Sequence, residues 1–322
     1  MAAPSTEGYK PEWLELEKAL GARPLLTGTA AEITQQFSGL IHTLAAQAGA
    51  PDPSVQTRES SADGIPVRIY TPSNTSAENP LPLGVYYHGG GYCVGDLDSE
   101  DSWCRYIAKS VPCILVSVDY RLGPQYKMPV MLDDSLKAFE WARNHTSELN
   151  ANPAQIFTIG GSAGGCLALT VANDLIAAGK KDHIQGIVAM VPVTAHPSSI
   201  TAAYSKHYKS YEENAVGVPI LDRKTMYTFF EAVDVDPHDE RLFVTLSKHL
   251  DKFPPTYIAT CGKDPLRDDG KVLEIILKEK GVQTKSDHYD GVPHYFWVFP
   301  GIKGGVEFLD NVCDGVKFVL GI

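Results

Sequence analysis

A serine in a glycine-rich turn is the first candidate for chemistry in this sequence. Residues 157–165 read Phe-Thr-Ile-Gly-Gly-Ser-Ala-Gly-Gly, so Gly160 and Gly164 stand two positions either side of Ser162. Gly-x-Ser-x-Gly between a strand and a helix is typical of a nucleophile elbow, where side chains at the two glycines would collide with backbone. The pattern predicts that Ser162 is a nucleophile facing the N–H groups of the next helix. The alternative is a turn that merely permits close packing.

An acidic residue follows at the place where such an elbow needs one. Elbow enzymes place the acid after the serine and before the histidine. Asp264 lies beyond the carboxyl end of a strand predicted over residues 256–260. Asp268 and Asp269 fit the first turn of the following helix, where acidic side chains suit the helix dipole. Asp264 is therefore the predicted acid, and the alternative is a turn or cap residue.

The predicted base depends on where two histidines fall relative to the last strand. His288 lies inside the strand predicted over residues 283–289, whereas His294 lies beyond it on a loop before the last helix. The base must overhang the carboxyl edge of the sheet to reach Ser162, which favours His294. A neutral imidazole there would take the serine proton, and Asp264 would fix its tautomer and stabilise the imidazolium.

A second glycine cluster follows an earlier apolar segment. Residues 88–92 read His-Gly-Gly-Gly-Tyr and come directly after a strand predicted over residues 83–87. Glycines let backbone N–H groups face a site, and a donor aimed at a developing oxyanion contributes roughly 3–4 kcal/mol to acyl transfer. The place of the cluster fits the loop that lipases and esterases use for this purpose. The alternative is a flexible loop with His88 as a strand-end residue.

The elements that must position these groups alternate along the chain. Strands are predicted at residues 55–60, 65–70, 83–87, 113–118, 156–159, 184–191, 256–260 and 283–289, and helices at 98–110, 129–144, 163–178, 271–280 and 306–320. Continuous apolar strands separated by helices indicate a mostly parallel sheet with helices on both faces. The prediction is an α/β fold with a central eight-stranded sheet. Residues 1–50 have helical spacing, and residues 195–250 form a polar, aromatic insertion above the sheet.

Composition excludes several other classes of protein. The 322 residues include 28 Lys plus Arg and 39 Asp plus Glu, a net charge of −11, which argues against nucleic-acid and anionic-membrane partners. No apolar run approaches the ~18 residues of a membrane span. The six cysteines form no CxxC pair, and most lie in apolar runs, so free buried thiols in a cytoplasmic protein are expected. Metal, phosphate-loop and dinucleotide motifs are missing, so no metal or cofactor is expected.

Four segments together resemble the hormone-sensitive-lipase-like esterases of the α/β-hydrolase fold, and most closely their fungal members. That family carries His-Gly-Gly-Gly, Gly-Asp-Ser-Ala-Gly-Gly, Asp-Pro-Leu-Arg-Asp-Glu-Gly and Asp-Tyr-Arg-Leu-Ala-Pro-Glu motifs. The counterparts here are residues 88–91, 160–165, 264–270 and 119–125. The resemblance spans roughly residues 60 to 320.

The resemblance implies a serine carboxylesterase that hydrolyses small to medium acyl esters through an acyl-enzyme. Ser162 would be the nucleophile, His294 the base and Asp264 its partner. The N–H groups of Gly89, Gly90 and Ala163 would form the oxyanion hole. Such an enzyme could tailor a secondary metabolite, and family members often form homodimers.

The resemblance also implies two regions. A helical cap would consist of residues 1–50 and 195–250, and a catalytic body of residues 51–194 and 251–322. Aromatic residues of the cap and of the loops beside the serine are candidates for the substrate pocket, among them Tyr92, Tyr211 and Tyr295. The alternative for most cap aromatics is ordinary packing against the body.

Three residues depart from the family pattern. Gly161 replaces Asp in the elbow, and Gln125 replaces a Glu whose charge would support the oxyanion loop. Tyr295 follows the histidine where the family commonly has Gly, so a different pocket wall is expected.

Two other functions remain open at this stage. The same triad could transfer the acyl group to an alcohol or amine, form a lactone or cleave an amide, because the cap decides which nucleophile enters. Plant hormone receptors reuse the fold as a binding module but lose the catalytic histidine, which disfavours a pure binder here.

Overall fold

An eight-stranded, mostly parallel sheet forms the centre of the molecule, of which the computed structural model describes residues 5–47, 50–73, 75–76 and 78–322. The strands are Val55–Ala62 (β1), Ile65–Pro72 (β2), Leu81–Tyr87 (β3), Ile114–Val118 (β4), Ala151–Gly161 (β5), Gly186–Met190 (β6), Thr256–Lys263 (β7) and Thr284–Pro293 (β8). Their spatial order is β1-β2-β4-β3-β5-β6-β7-β8. β2 pairs antiparallel with β1 and β4, and the other pairings are parallel. The predicted sheet is confirmed.

Helices cover both faces of this sheet. They are Pro11–Leu20 (α1), Ala30–Gln47 (α2), Asp101–Ser110 (α3), Val130–Asn144 (α4), Thr146–Leu149 (α5), Ala163–Ala177 (α6), Ser210–Glu213 (α7), Arg223–Ala232 (α8), Arg267–Glu279 (α9) and Lys303–Leu320 (α10). α4, α6 and α9 contribute to the core on one face, and α3 and α10 to the core on the other. Because β4 is buried along its whole length between the two cores, its residues are apolar on both faces, apart from the buried Ser117.

Most strands extend beyond their predicted ends, and two of them do so by four or more residues. β5 begins at Ala151 rather than at residue 156, and β8 continues to Pro293 rather than ending near residue 289. The added residues include polar, partly exposed ones, which hydrophobic pattern does not mark. Since β8 runs to Pro293, His294 directly follows the strand instead of lying on a separate loop.

Other expectations about the chain can be compared with the structure. All six cysteines are buried and free, which confirms the predicted thiols. In the described ranges, every helix is too short or too polar to cross a lipid bilayer.

The N-terminal segment packs against the segment that interrupts the strand–helix alternation. α2 contacts α8. The Ile220 N–H donates to the Pro24 carbonyl (2.7 Å), and the Thr225 hydroxyl donates to the Leu26 carbonyl (2.9 Å). These bonds join the two segments for which a cap was predicted. Residues 1–4, 48 and 49 of that prediction lie outside the described residues, and the boundary between cap and body stays a prediction.

The side chain of Asp222 caps the N-terminus of α8. Its carboxylate accepts a hydrogen bond from the Thr225 N–H (2.9 Å). Replacing Asp222 by Ala should lower the free energy of unfolding by about 1–2 kcal/mol, because the first turn of α8 loses its cap. The melting temperature measures this loss. Asp222→Asn is the matched control, since Asn caps about as well, and equal melting temperatures for the two variants would contradict the assignment.

Candidate active site

The candidate nucleophile lies on a strained turn between β5 and α6. Ser162 has φ 55° and ψ −118°, an unusual conformation for a residue with a side chain, and is 5% exposed. A Cβ at Gly160 would overlap the Gly164 carbonyl, and one at Gly164 would overlap the Tyr87 carbonyl. The two glycines are therefore required by backbone approach, as the sequence indicated. Ala163 is the first residue of α6, so its N–H has no acceptor within the helix.

The candidate base and acid are joined by a short hydrogen bond. His294 Nδ1 lies 2.7 Å from Asp264 Oδ2, and both side chains are buried. Asp264 Oδ1 accepts from the Leu266 N–H (2.8 Å), which fixes the carboxyl group at the end of β7. A carboxylate oxygen accepts, so Nδ1 carries the ring proton and Nε2 of the neutral ring is left to take another. The structure thus brings together His294 and Asp264, which are separated by 30 residues in the chain.

A cavity of about 380 Å³ contains the serine and the histidine. It is lined by Ser162, His294, Tyr295, Gly90, Gly91 and the apolar side chains of Leu26, Phe37, Ile220, Leu221, Met226 and Phe229. The apolar wall comes from the N-terminal segment and from residues 220–229, on or just before α8. Spacing along the sequence did not single out most of these residues, because they come from two distant segments with no shared motif.

The glycine loop after β3 differs from the expectation in one residue. The Gly89 N–H donates to Glu100 Oε1 (3.2 Å), and Gly89 does not line the cavity, whereas Gly90 and Gly91 do. Gly89 is therefore a poor oxyanion donor, because a buried carboxylate already occupies its N–H. Gly90 and Gly91 have φ values of 113° and 59°, in the region that favours glycine.

Buried side chains hold this loop in place. His88 stacks on Tyr120 with ring centroids 4.3 Å apart, and its Nδ1 lies 2.7 Å from the Gly89 carbonyl. The Tyr120 hydroxyl donates to the His88 carbonyl (2.7 Å). Burial lowers the pKa of His88 to about 4, so the ring is neutral near pH 7 and supports the loop.

Two of the three predicted pocket tyrosines lie away from the cavity. Tyr295 lines it, but Tyr92 and Tyr211 do not. Tyr92 is fully buried in the core near Cys166, on the α6 side of the loop. Tyr211 is 2% exposed and stacks on Tyr208 with ring centroids 5.8 Å apart. Position beside a loop or within a cap does not reveal which way a ring turns, and here both rings turn into the core.

Comparisons with known proteins show the family of this chain. Residues 84–298 match the model of the alpha/beta hydrolase fold family. The chain belongs to this family. Versiconal hemiacetal acetate esterase of Dothistroma septosporum is 43% identical to it over 97% of this chain and 95% of its own length. This alpha/beta hydrolase is a carboxylic ester hydrolase of the hormone-sensitive-lipase-like group, as the sequence predicted.

Solved structures support the same fold for this alpha/beta hydrolase. The crystal structure of vibralactone cyclase matches 100% of this chain and 97% of its own with a TM-score of 0.87 and 27% identity. A hyperthermophilic esterase from Pyrobaculum calidifontis matches 96% of this chain and 98% of its own with a TM-score of 0.82 and 27% identity.

Of the three residues that depart from the family motifs, one lies on the surface and two lie in contact near the site. Gln125 is exposed, so the carboxylate that supports the glycine loop is that of Glu100. Gly161 and Tyr295 lie against each other: a Cβ at Gly161 would overlap the Tyr295 hydroxyl. The sequence does not mark Glu100, because a single Glu before a helix resembles any solvent-facing helix start.

Asp269 holds the beginning of the segment that follows β6. Its carboxylate accepts from the N–H groups of Thr194 (2.9 Å) and Ala195 (3.1 Å) and from the Tyr208 hydroxyl (2.8 Å). It is fully buried, and burial raises its pKa to about 8. The acidic residue in this first turn therefore does more than complement the helix dipole, since it docks the chain that leads toward the cavity wall.

The stability of the fold should depend on pH through the buried carboxyl group of Asp269. Its pKa is raised in the folded state, so the unfolded state ionises first and stability falls as the pH rises from about 4 to about 8. Asp269→Asn removes this ionisation while keeping an oxygen for the two N–H groups. The melting temperature of the variant relative to the unmodified protein should therefore rise with pH. A constant difference between pH 5 and pH 9 would contradict the prediction.

Proposed function

We propose that Ser162, His294 and Asp264 are the nucleophile, base and orienting acid of an esterase for small to medium acyl esters. The observation that carries this proposal is the placement of Ser162 and His294 in one cavity, with His294 bonded to the buried Asp264. Gly90, Gly91 and Ala163 are the proposed oxyanion donors. Gly91 takes the place first given to Gly89, whose N–H is bonded to Glu100.

The proposed reaction proceeds in two acyl transfers. Ser162 Oγ attacks the ester carbonyl carbon while His294 Nε2 takes the serine proton, and the oxyanion accepts hydrogen bonds from the three backbone donors. The intermediate collapses, and the alcohol leaves with the proton from His294. Water, deprotonated by His294, then attacks the acyl-enzyme. The bond to Ser162 Oγ breaks, His294 returns the proton to Ser162 Oγ, and the free acid leaves.

The wall of the cavity supports an uncharged, compact substrate. The space among its lining atoms is about 380 Å³ with the open mouth included, which suits a small substrate group, and most lining side chains are apolar. The fungal relative named above acts on an acetate ester by its name. We therefore propose an ester with a short acyl group, on an alcohol of secondary metabolism, as the substrate of this chain.

Vibralactone cyclase, one of the structural neighbours, favours lactone formation as a second candidate function. In lactone formation a hydroxyl of the substrate itself, rather than water, would attack the acyl-enzyme. The same residues would carry both reactions, and the distinction depends on whether the cavity admits water after the alcohol leaves.

The cap made of two segments is also a proposal, and it does not depend on the proposed reaction. The hydrogen bonds that join the N-terminal segment to residues 220–225 support a cap made of two segments. A homodimer and a cytoplasmic location stay predictions from the family resemblance and the free cysteines.

Covalent labelling tests the nucleophile. An organophosphonate should form one adduct on Ser162, and Ser162→Ala should lose both the adduct and esterase activity. Ser135→Ala is the matched control, because Ser135 is also buried but bonds to the Met131 carbonyl on α4, away from the cavity. Labelling that persists in Ser162→Ala would overturn the assignment.

The two histidines weighed from the sequence provide a second control. His294→Gln should lower kcat by roughly 10³-fold or more, since no base remains for Ser162. His288→Gln should keep kcat, because His288 bonds to Thr260 (2.9 Å) and does not line the cavity.

Product analysis distinguishes hydrolysis from transfer. With a short-chain acyl ester, the free acid should account for the acyl group in water, with a faster turnover for acetyl than for long acyl chains. Mass spectrometry of the products with and without an added alcohol measures the partition. Acyl transfer to the added alcohol as the main product, or a preference for long acyl chains, would contradict the proposed function.

A further inference from the structure

A buried carboxylate connects the glycine loop to the residue after the proposed base. Glu100 is 5% exposed and directly precedes α3. Its Oε1 accepts from the Gly89 N–H (3.2 Å) and the Tyr295 hydroxyl (3.0 Å), and its Oε2 accepts from the Tyr86 hydroxyl. Among the described residues, Glu100 has no salt bridge to a basic side chain. The carboxylate is therefore stabilised by three neutral donors from separate parts of the chain.

The Tyr295 hydroxyl is fixed between two backbones. A Cβ added to Gly89 would overlap it, and so would a Cβ added to Gly161. The hydroxyl thus lies between the glycine loop and the serine elbow, in space that exists because both positions are glycine. Tyr295 itself has φ 57° and follows His294 directly. Gly161 and Tyr295 both depart from the family motifs, and they fit together because a side chain at position 161 would overlap the Tyr295 hydroxyl.

We propose that Glu100 and Tyr295 are positioning residues, which hold the glycine loop against the serine elbow so that the oxyanion donors stay in register with Ser162. Gly89 is the point of attachment, since its N–H bonds to Glu100 and its Cα meets the Tyr295 hydroxyl. Gly90 and Gly91 follow it into the cavity. A donor displaced by ~1 Å can cost roughly 100-fold in rate, so the position of Gly89 matters for turnover. This inference rests on the proposed function.

The surroundings of Glu100 give the arrangement a pH dependence. Tyr86 on β3, Tyr295 after β8, Cys104 on α3 and Tyr120 after β4 are the titratable groups that face it. All four are neutral at pH 7, because burial raises their pKa values well above the ordinary ones.

Burial likewise raises the pKa of Glu100 to about 7. As the pH falls through 7 the carboxylate gains a proton and becomes a weaker acceptor for Gly89 and Tyr295. The ionised form therefore holds the loop, although its burial costs stability.

Glu100→Gln tests the inference without emptying the space. At pH 8.5 kcat should fall about 10- to 100-fold while KM changes little, because the donors act on the transition state. The ratio of the kcat values of the unmodified protein and the variant should shrink as the pH falls below 7, where Glu100 is already neutral. A ratio that is constant between pH 5.5 and pH 8.5 would overturn the proposal.

Melting temperatures distinguish a positioning role of Glu100 from a purely structural one. The pKa of Glu100 is raised in the folded state, so its ionisation at pH 8.5 destabilises the fold, and Glu100→Gln should melt no lower than the unmodified protein. Tyr257→Phe is a control that removes another tyrosine–carboxylate bond, from the buried Tyr257 to the half-buried Asp287 (2.9 Å), and neither residue lines the cavity. It should lower the melting temperature and keep kcat. A Glu100→Gln variant with that same behaviour would refute positioning.

The packing of Tyr295 is tested by a double-mutant cycle. Gly161→Ala should lower kcat strongly, because the three atoms nearest to the added Cβ all belong to Tyr295. In a Tyr295→Gly background the same change should cost several-fold less, and glycine suits the backbone at position 295. Additive losses would overturn the proposed contact. Organophosphonate labelling of Ser162 in the unmodified protein shows separately whether the proposed nucleophile holds.

Discussion

The close approach of two backbones at the carboxyl edge of the sheet is the constraint on which the site depends. The turn after β5 places the Gly164 backbone against the carbonyl of Tyr87, the last residue of β3. No side chain fits there, and the parallel pairing of β3 with β5 puts both loops at the same end of neighbouring strands. The strained conformation of Ser162 persists because the sheet, α6 and the glycine loop all fix its surroundings. The base and the acid then reach the same edge from β8 and β7.

Strand ends were the part of the site that the sequence could predict. Ser162, Asp264 and His294 each follow the end of a parallel strand, and the carboxyl ends of parallel strands meet at one edge. This topological rule needs no side-chain detail, so the pairing of His294 with Asp264 could be anticipated from chain order. The central strands were recognisable because buried parallel strands are mostly apolar, as in β3, β6 and β7.

What could not be predicted was the direction of individual groups. Gly89, Gly90 and Gly91 are identical in type, and the carboxylate of Glu100 decides that the first of them faces away from the cavity. Likewise, the sequence does not show that the rings of Tyr92 and Tyr211 turn into the core instead of toward the cavity. Glu100 itself could not be recognised, because its burial results from contacts with β3 and with the chain after β8. Such contacts are non-local, and neither periodicity nor motif spacing encodes them.

The contact between Phe229 and Gly91 has a consequence for how this enzyme could diversify. A Cβ at Gly91 would overlap the Phe229 ring, so the ring rests directly on the backbone of the glycine loop. The same ring is part of the wall that surrounds a substrate. A substitution that reshapes this wall also removes a support of the loop, so selectivity and turnover would change together at this position. New substrate ranges are easier to reach through Leu26 or Phe37, which come from the N-terminal segment.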